Sequence, residues 1–276
     1  MSAPLLEVRG LCVDYPARRA APWSPHRQVH ALREVDLALH EGRSLGIVGE
    51  SGCGKSTLAR AILGLVRPSA GQVLWRGRAM DYRDRGQLRQ LRRELQVVFQ
   101  DPFGSLDPRM NAGASVAEAL EALEGITDRA MVRARVAASL AEVGLDPALA
   151  TRYPHELSGG QCQRVAIARA TIARPRLLIC DEAVSALDVS VQAQIVNLLR
   201  DLSERHRMAL LFISHNLAVV RHLCEEVAVL SLGRVVEHAA SEQLFARPRH
   251  PYTRELLAAV PEPDPSRARA GPGRPA

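Results

Sequence analysis

The chain has 276 residues, 47% of them hydrophobic and 24% charged, which suits one large α/β domain with a subdomain. No apolar run reaches the roughly 20 residues that span a bilayer, and the N-terminus lacks an export pattern, so we expect a cytosolic chain. The net charge of +6 permits nucleic-acid binding, but no stacking aromatics accompany the arginine-rich stretches 83–93 and 267–274. We therefore expect no nucleic-acid partner. The five scattered cysteines have no metal-ligand spacing and are expected to be free thiols.

The N-terminal part of the chain carries short strand patterns. Residues 5–15 alternate loosely and predict an edge strand, and residues 35–39 predict a second, half-buried strand. The continuous apolar run Leu45–Val48 is typical of a central strand covered on both faces. Residues 73–75 and 96–99 are further strand candidates, and the arginine-rich stretch 83–93 predicts the solvated face of a short helix.

A phosphate-binding loop follows the central strand and precedes a helix predicted over residues 58–65. This strand–turn–helix context makes a glycine turn that binds nothing a poor alternative. Glycines let successive backbone N–H groups point inward, and the helix start attracts phosphate. Lys55, the only lysine of the chain, supplies a compact positive charge, and Ser56 offers a hydroxyl ligand for Mg²⁺. The loop comprises Gly49, Glu50, Ser51, Gly52, Cys53, Gly54, Lys55, Ser56 and Thr57.

The pattern becomes helical from about residue 111 to residue 173, which predicts a helical subdomain inserted into the main sheet. One apolar face is marked by residues 116, 120 and 123, and a second by residues 132, 136, 140 and 143. Strand–helix alternation then resumes over residues 177–230, and it predicts a mostly parallel sheet with ligands at the carboxyl ends of the strands. From Glu237 we expect helix and loop, and after residue 261 a disordered tail.

Two further strands end in polar residues. Asp181 and Glu182 close an apolar strand, where one carboxylate could hold Mg²⁺ and the other could deprotonate a water; an acidic helix cap is the alternative. His215 follows the next apolar strand, and although a single histidine is more often an ordinary loop residue, this position allows a hydrogen bond to a γ-phosphate. Ser158, Gly159, Gly160 and Gln161 open a helix and form a second anion-friendly helix start.

These residues together resemble the ATP-binding cassette ATPases of ABC transporters, over residues 5–236. The most specific element is Leu157–Gln161, which is similar to the signature of that family. The resemblance implies adenine stacking by Tyr15, contact with Mg²⁺ by Gln100, a Mg²⁺ carboxylate at Asp181, a catalytic base at Glu182, a switch histidine at His215 and communication between paired sites through Asp188. It also implies a P-loop fold with an N-terminal antiparallel β portion, the cofactors ATP and Mg²⁺, and head-to-tail pairing in which the signature serves the partner's ATP.

Two stretches are similar to the oligopeptide and dipeptide importer subgroup: residues 99–110 and the motif beginning at His250. This resemblance implies a C-terminal extension over residues 237–261 and a chain that lies peripherally on the cytoplasmic face of the cell membrane. The implied partners are a second, different ATP-binding subunit, two transmembrane permease subunits and, indirectly, an extracytoplasmic binding protein. Import of nickel or another small solute, an accessory role in a cytosolic complex of the phosphonate-lyase type, and a nucleic-acid-linked ATPase are the alternatives.

Overall fold

The computed structural model describes residues 3–16 and 28–259; the predicted tail 262–276 and the arginine-rich stretch 267–274 lie outside them. Within these ranges the chain forms strands and helices in an order typical of a P-loop fold. The strands are β1 (Leu6–Pro16), β2 (Gln28–Leu39), β3 (Ser44–Val48), β4 (Ala70–Trp75), β5 (Arg78–Ala79), β6 (Leu95–Val98), β7 (Leu177–Asp181), β8 (Ala209–Ile213), β9 (Glu226–Ser231) and β10 (Arg234–Ala240). The helices are α1 (Lys55–Ile62), α2 (Arg85–Glu94), α3 (Ala112–Glu124), α4 (Arg129–Glu142), α5 (Gly159–Thr171), α6 (Val189–His206), α7 (Leu217–Leu223), α8 (Ser241–Ala246) and α9 (Pro251–Ala258).

The strands form two sheets, which confirms the predicted fold class. The first has the order β2-β1-β4-β5 and is antiparallel throughout. The second has the order β10-β9-β3-β8-β7-β6, in which only the β10–β9 pair is antiparallel. The run β3-β8-β7-β6 brings the carboxyl ends of four parallel strands to one edge of the sheet, where ligands of α/β proteins bind.

Alternate residues of the parallel strands enter two different cores. In β7, Leu177 and Ile179 pack with the antiparallel sheet and helix α1. Leu178 and Cys180 on the opposite face pack with the inserted helices α3, α4 and α5. The continuous apolar runs of β3, β7 and β8 are therefore buried on both faces, as the sequence predicted for β3.

The inserted helical block is delimited by ordinary capping chemistry. Asn111 accepts a hydrogen bond from the backbone of Ala114 at the start of α3, and Asp128 caps α4 in the same way. Gly125 and Gly144, both with positive φ, follow these two helices. The faces predicted from the apolar spacing are the buried ones: Val116, Leu120, Val132, Val136, Leu140 and Val143 belong to the core, and Leu123 packs against it.

Two expectations from the sequence are wrong. Strand β1 is not an edge strand, because it pairs with β2 on one side and with β4 on the other. The change to helix and loop expected at Glu237 comes after Ala240, since β10 continues through Glu237 and pairs with β9 as far as Glu226. The start of the C-terminal extension, predicted at residue 237, therefore falls inside a strand of the main sheet.

Candidate nucleotide site

The phosphate loop lies at the carboxyl end of β3 and ends at the first turn of α1. Gly54 caps α1 with a φ of 114°, a conformation that residues with side chains rarely adopt. A Cβ atom at this position would lie 2.5 Å from the carbonyl oxygen of Ala31, so the loop requires glycine there on two grounds.

Lys55 is buried and its ammonium group is held inside the loop. It donates hydrogen bonds to the carbonyl oxygens of Gly49 at 2.8 Å and of Glu50 at 2.7 Å. The positive charge is thus placed among backbone groups of the loop, where a nucleotide phosphate would meet it.

Cys53 contributes to the loop through its backbone, while its side chain belongs to the core. Its side chain is buried among core residues, and its Sγ lies 3.9 Å from Nζ of Lys55. Burial raises the pKa of the Cys53 thiol, with the Lys55 charge acting in the opposite direction. Since thiolate is the reactive form, the structure disfavours chemistry at this sulfur.

Ser56 and Asp181 meet across the loop and the end of β7. The Ser56 hydroxyl donates to Oδ1 of Asp181 at 3.1 Å. Burial raises the pKa of Asp181, although the Ser56 hydrogen bond lowers it. A hydroxyl and a carboxylate are hard oxygen ligands, and a divalent cation would offset the cost of the buried charge, so the pair fits Mg²⁺. The third predicted Mg²⁺ contact, Gln100, lies exposed two residues beyond the end of β6.

Glu182 and His215 also meet, at the ends of the adjacent strands β7 and β8. Nδ1 of His215 lies 3.6 Å from Oε1 of Glu182. Glu182 has a φ of 52°, in the left-handed region that non-glycine residues rarely occupy. Its backbone N–H donates to the carbonyl oxygen of Ile213, and its own carbonyl oxygen accepts from the backbone and the hydroxyl of Ser185. These bonds hold the strained residue in place.

The remaining predicted residues lie on other elements. Tyr15 is half-buried near the end of β1, and Asp188 caps α6 without a side-chain hydrogen bond. Ser158 caps α5 in a reciprocal arrangement: its Oγ accepts from the backbone of Gln161, and Oε1 of Gln161 accepts from the backbone of Ser158. Gly159 and Gly160 form the first turn of that helix, so the signature is a helix start, as predicted.

Two residues to which the sequence analysis gave no role in the site also contact it. Gln163 of α5 is fully buried, and its side-chain amide donates to the carbonyl oxygen of Ala183, the residue after Glu182, at 2.7 Å. The Tyr252 hydroxyl in α9 accepts from the backbone N–H of Glu50 at 3.1 Å. A glutamine on the buried face of a helix was a detectable signal, whereas the Tyr252 contact joins segments too far apart in sequence to be inferred.

Comparisons with known proteins agree with this geometry. A family model described as ABC transporter matches residues 32–185, more than half of the chain. A second, described as the oligopeptide/dipeptide transporter C-terminal region, matches residues 236–275.

Similar proteins of known name include the oligopeptide transport ATP-binding protein OppF of Salmonella typhimurium, 49% identical over 263 residues that cover 95% of this chain and 79% of that protein. The glutathione import ATP-binding protein GsiA of Salmonella choleraesuis is 48% identical, and the alignment covers 96% of this chain and 42% of that protein.

Two solved structures are also similar. CbiO1 of Clostridium perfringens, part of the ABC transporter complex cbiONQ, has a TM-score of 0.76 at 29% identity and covers 89% of this chain and 92% of its own. A dimeric ATP-binding cassette in a post-hydrolysis state with ADP and phosphate has a TM-score of 0.75 at 29% identity and covers 86% of this chain and 98% of its own.

Proposed function

The chain belongs to the ATP-binding family of ABC transporters, and from this premise we propose that it is the motor subunit of an importer for dipeptides or oligopeptides. Membership means that it binds ATP and hydrolyses it to ADP and phosphate. The observation that carries the peptide proposal is the match of residues 236–275 to the C-terminal region of oligopeptide and dipeptide transporters. The similar glutathione importer subunit supports the same class of cargo, since glutathione is itself a short peptide.

The site residues divide the chemistry between positioning and proton transfer. Lys55 and the backbone N–H groups of the loop bind the phosphates. Ser56, Asp181 and Gln100 would hold Mg²⁺, and the bound ion would neutralise charge on the phosphoryl group. Glu182 accepts a proton from the attacking water, and the adjacent His215 donates a hydrogen bond to the γ-phosphate.

The signature of this chain acts on a second nucleotide. Ser158 and Gly159 offer a helix start to the ATP held by the phosphate loop of a paired ATPase, and Asp188 contacts that partner. Tyr15 stacks on the adenine of the chain's own nucleotide. Closure of the pair on ATP and its opening after hydrolysis move the attached permease subunits.

The proposed domain organisation and location follow from the same assignment. Residues 5–236 form the ATPase domain with its helical subdomain at about 111–173, and residues 237–261 form the C-terminal extension, whose first residues belong to β10. Within residues 3–16 and 28–259 no helix is both long and apolar enough to cross a bilayer. We place the chain on the cytoplasmic face of the membrane through its permease partners.

Affinity purification of the tagged full-length chain from detergent-solubilised native membranes tests this proposal. We expect two multi-span permeases and a second, different ATP-binding subunit, and ATP hydrolysis that rises when the cognate binding protein is supplied with short peptides. Recovery with soluble enzymes alone would favour the accessory role, and stimulation by nickel but not by peptides would favour a metal importer.

A further inference from the structure

The C-terminal helix α9 reaches the phosphate loop through the side chain of Tyr252. Tyr252 is the second residue of this helix, and its hydroxyl oxygen accepts the hydrogen bond from the backbone N–H of Glu50 at 3.1 Å. The ring packs against the main core, so the hydroxyl projects from a fixed base. Burial raises the pKa of Tyr252, which keeps the phenol neutral at physiological pH.

The peptide unit that Tyr252 holds is also the one that holds Lys55. The N–H of Glu50 and the carbonyl group of Gly49 belong to the same planar peptide group. Its oxygen accepts from the Lys55 ammonium at 2.8 Å, while its N–H donates to Tyr252. Fixing the N–H direction therefore fixes the carbonyl direction, and a donated N–H makes the carbonyl a stronger acceptor for the ammonium.

Helix α9 is itself braced on the main sheet. The Glu237 carboxylate in β10 accepts from the backbone N–H groups of Arg249 and His250, each at 2.9 Å. Burial acts to raise the pKa of Glu237, but the side-chain and backbone hydrogen bonds to its carboxylate together outweigh burial and lower the pKa, so the carboxylate stays charged. Nδ1 of His250 then accepts from the backbone of Tyr252 and caps α9.

We infer that Tyr252 is a positioning residue of the nucleotide site, and that the C-terminal extension thereby sets the affinity of its own chain for ATP. The hydroxyl pre-orients the Gly49–Glu50 peptide and, through it, the Lys55 ammonium. The inference rests on the proposed role of the loop in binding ATP. It gives the extension a function inside the chain, separate from any contact with other subunits.

The test compares Tyr252→Phe with Tyr82→Phe in the full-length chain. Both substitutions remove one tyrosine hydroxyl that bonds to the backbone; the Tyr82 hydroxyl donates to Ala61 in the last turn of α1, away from the loop. Two quantities are measured: hydrogen–deuterium exchange of the Glu50 amide without nucleotide, and the Kd for Mg-ATP. We expect Tyr252→Phe to accelerate the exchange and to raise the Kd about threefold to tenfold, the effect of one net hydrogen bond.

Tyr82→Phe should leave both quantities at the wild-type value, and in the assembled complex Tyr252→Phe should raise KM for ATP more than it lowers kcat. Unchanged exchange and Kd in Tyr252→Phe would overturn the inference, as would equal effects of the two variants, which would indicate general destabilisation. Wild-type protein that binds no Mg-ATP would instead overturn the proposed function, and the exchange of the Glu50 amide would still decide the role of Tyr252.

Discussion

At the scale of single residues, Glu182 combines a strained backbone with a directed side chain. Its left-handed φ and the hydrogen bonds around it aim the carboxylate at His215 across the ends of β7 and β8. Strain of this kind costs on the order of 1–3 kcal/mol and persists only where neighbouring contacts enforce it. The turn therefore presents this carboxylate in a fixed direction, as its proposed role of catalytic base requires.

Replacing Glu182 by glutamine should separate binding from hydrolysis. Glu182→Gln keeps the size and shape of the side chain but cannot accept a proton from water, so we expect kcat to fall about 100-fold or more while the Kd for Mg-ATP stays within about twofold. Phosphate release and nucleotide binding measure the two effects. The exposed Glu204 of α6 provides the control, because Glu204→Gln should change neither. Hydrolysis by Glu182→Gln near the wild-type rate would show that another group activates the water.

The buried charge of the neighbouring Asp181 should destabilise the fold, and bound Mg-ATP should offset this effect. Burial raises the pKa of Asp181 in the folded state above its value near 3.8 in the unfolded chain. The folded state is therefore destabilised as the pH rises from 3.8 through the folded-state pKa, because the buried carboxyl group then becomes charged. At pH 7 without nucleotide, Asp181→Asn should therefore raise Tm, by about 2–4 °C for each kcal/mol removed, and the gain should vanish below about pH 4.

With Mg-ATP, the wild type should have the higher Tm. Its Asp181 carboxylate can bind the Mg²⁺ that accompanies ATP, whereas the amide of Asp181→Asn carries no charge to bind the ion. Thermal unfolding at pH 7, with and without Mg-ATP, measures both differences. Asp201→Asn, at an exposed position of α6, is the matched control and should have no effect under either condition. A lower Tm for Asp181→Asn without nucleotide would show that the charge stabilises the site on its own.

At the scale of elements, the two glycines in the first turn of α5 differ in what requires them: Gly160 is needed for packing and Gly159 is not. A Cβ atom at Gly159 would meet Leu187 and Phe103 at 3.7 Å, an ordinary contact, whereas one at Gly160 would lie 2.8 Å from Cγ1 of Val191. Gly160 is thus required by packing within the chain. Gly159 has no such requirement, which is expected if its small size serves a nucleotide on another subunit.

Gly159→Ala should consequently leave the free energy of unfolding of this chain unchanged or slightly higher, since alanine favours a helix over glycine. The ATPase rate at the composite site that contains this signature should fall at least about tenfold, because the added methyl group obstructs the helix start. Asp128→Ala is the control with the opposite effects. It removes the N-cap of α4, so it should lower the free energy of unfolding by about 1 kcal/mol and leave the ATPase rate unchanged. Denaturant unfolding measures the stability of the two variants, and phosphate release measures their ATPase rates. A wild-type ATPase rate for Gly159→Ala would contradict the assignment of the signature.

The elements also show how far the sequence determines the structure. Strand β3 and the helices α3 and α4 were predictable because a continuous apolar run or a helical apolar face has one favourable way to be buried. The pairing of β1 on both sides was not, because a half-buried strand has the same pattern at an edge and in the interior. The left-handed Glu182 and the Tyr252–Glu50 contact depend on tertiary hydrogen bonds, which local patterns do not encode.

At the scale of the whole molecule, the proposed head-to-tail pairing assigns the phosphate loop and the signature of one chain to different composite sites. Lys55→Ala should then disable the site that uses this chain's loop, and Gly159→Ala should disable the site that uses its signature. If the partner is a different ATPase, each single variant leaves one composite site intact, whereas the double variant in the same chain disables both.

Counting the molecules of a non-hydrolysable ATP analogue that the purified complex retains tests this assignment. We expect two nucleotides per complex for the wild type, one for either single variant and none for the double variant, because the two substitutions act on separate sites and their effects add. In a pair of identical chains, every composite site would contain one substituted loop or one substituted signature, so each single variant would already retain none. The stoichiometry of the single variants therefore decides whether this chain pairs with a different ATPase or with a second copy of itself.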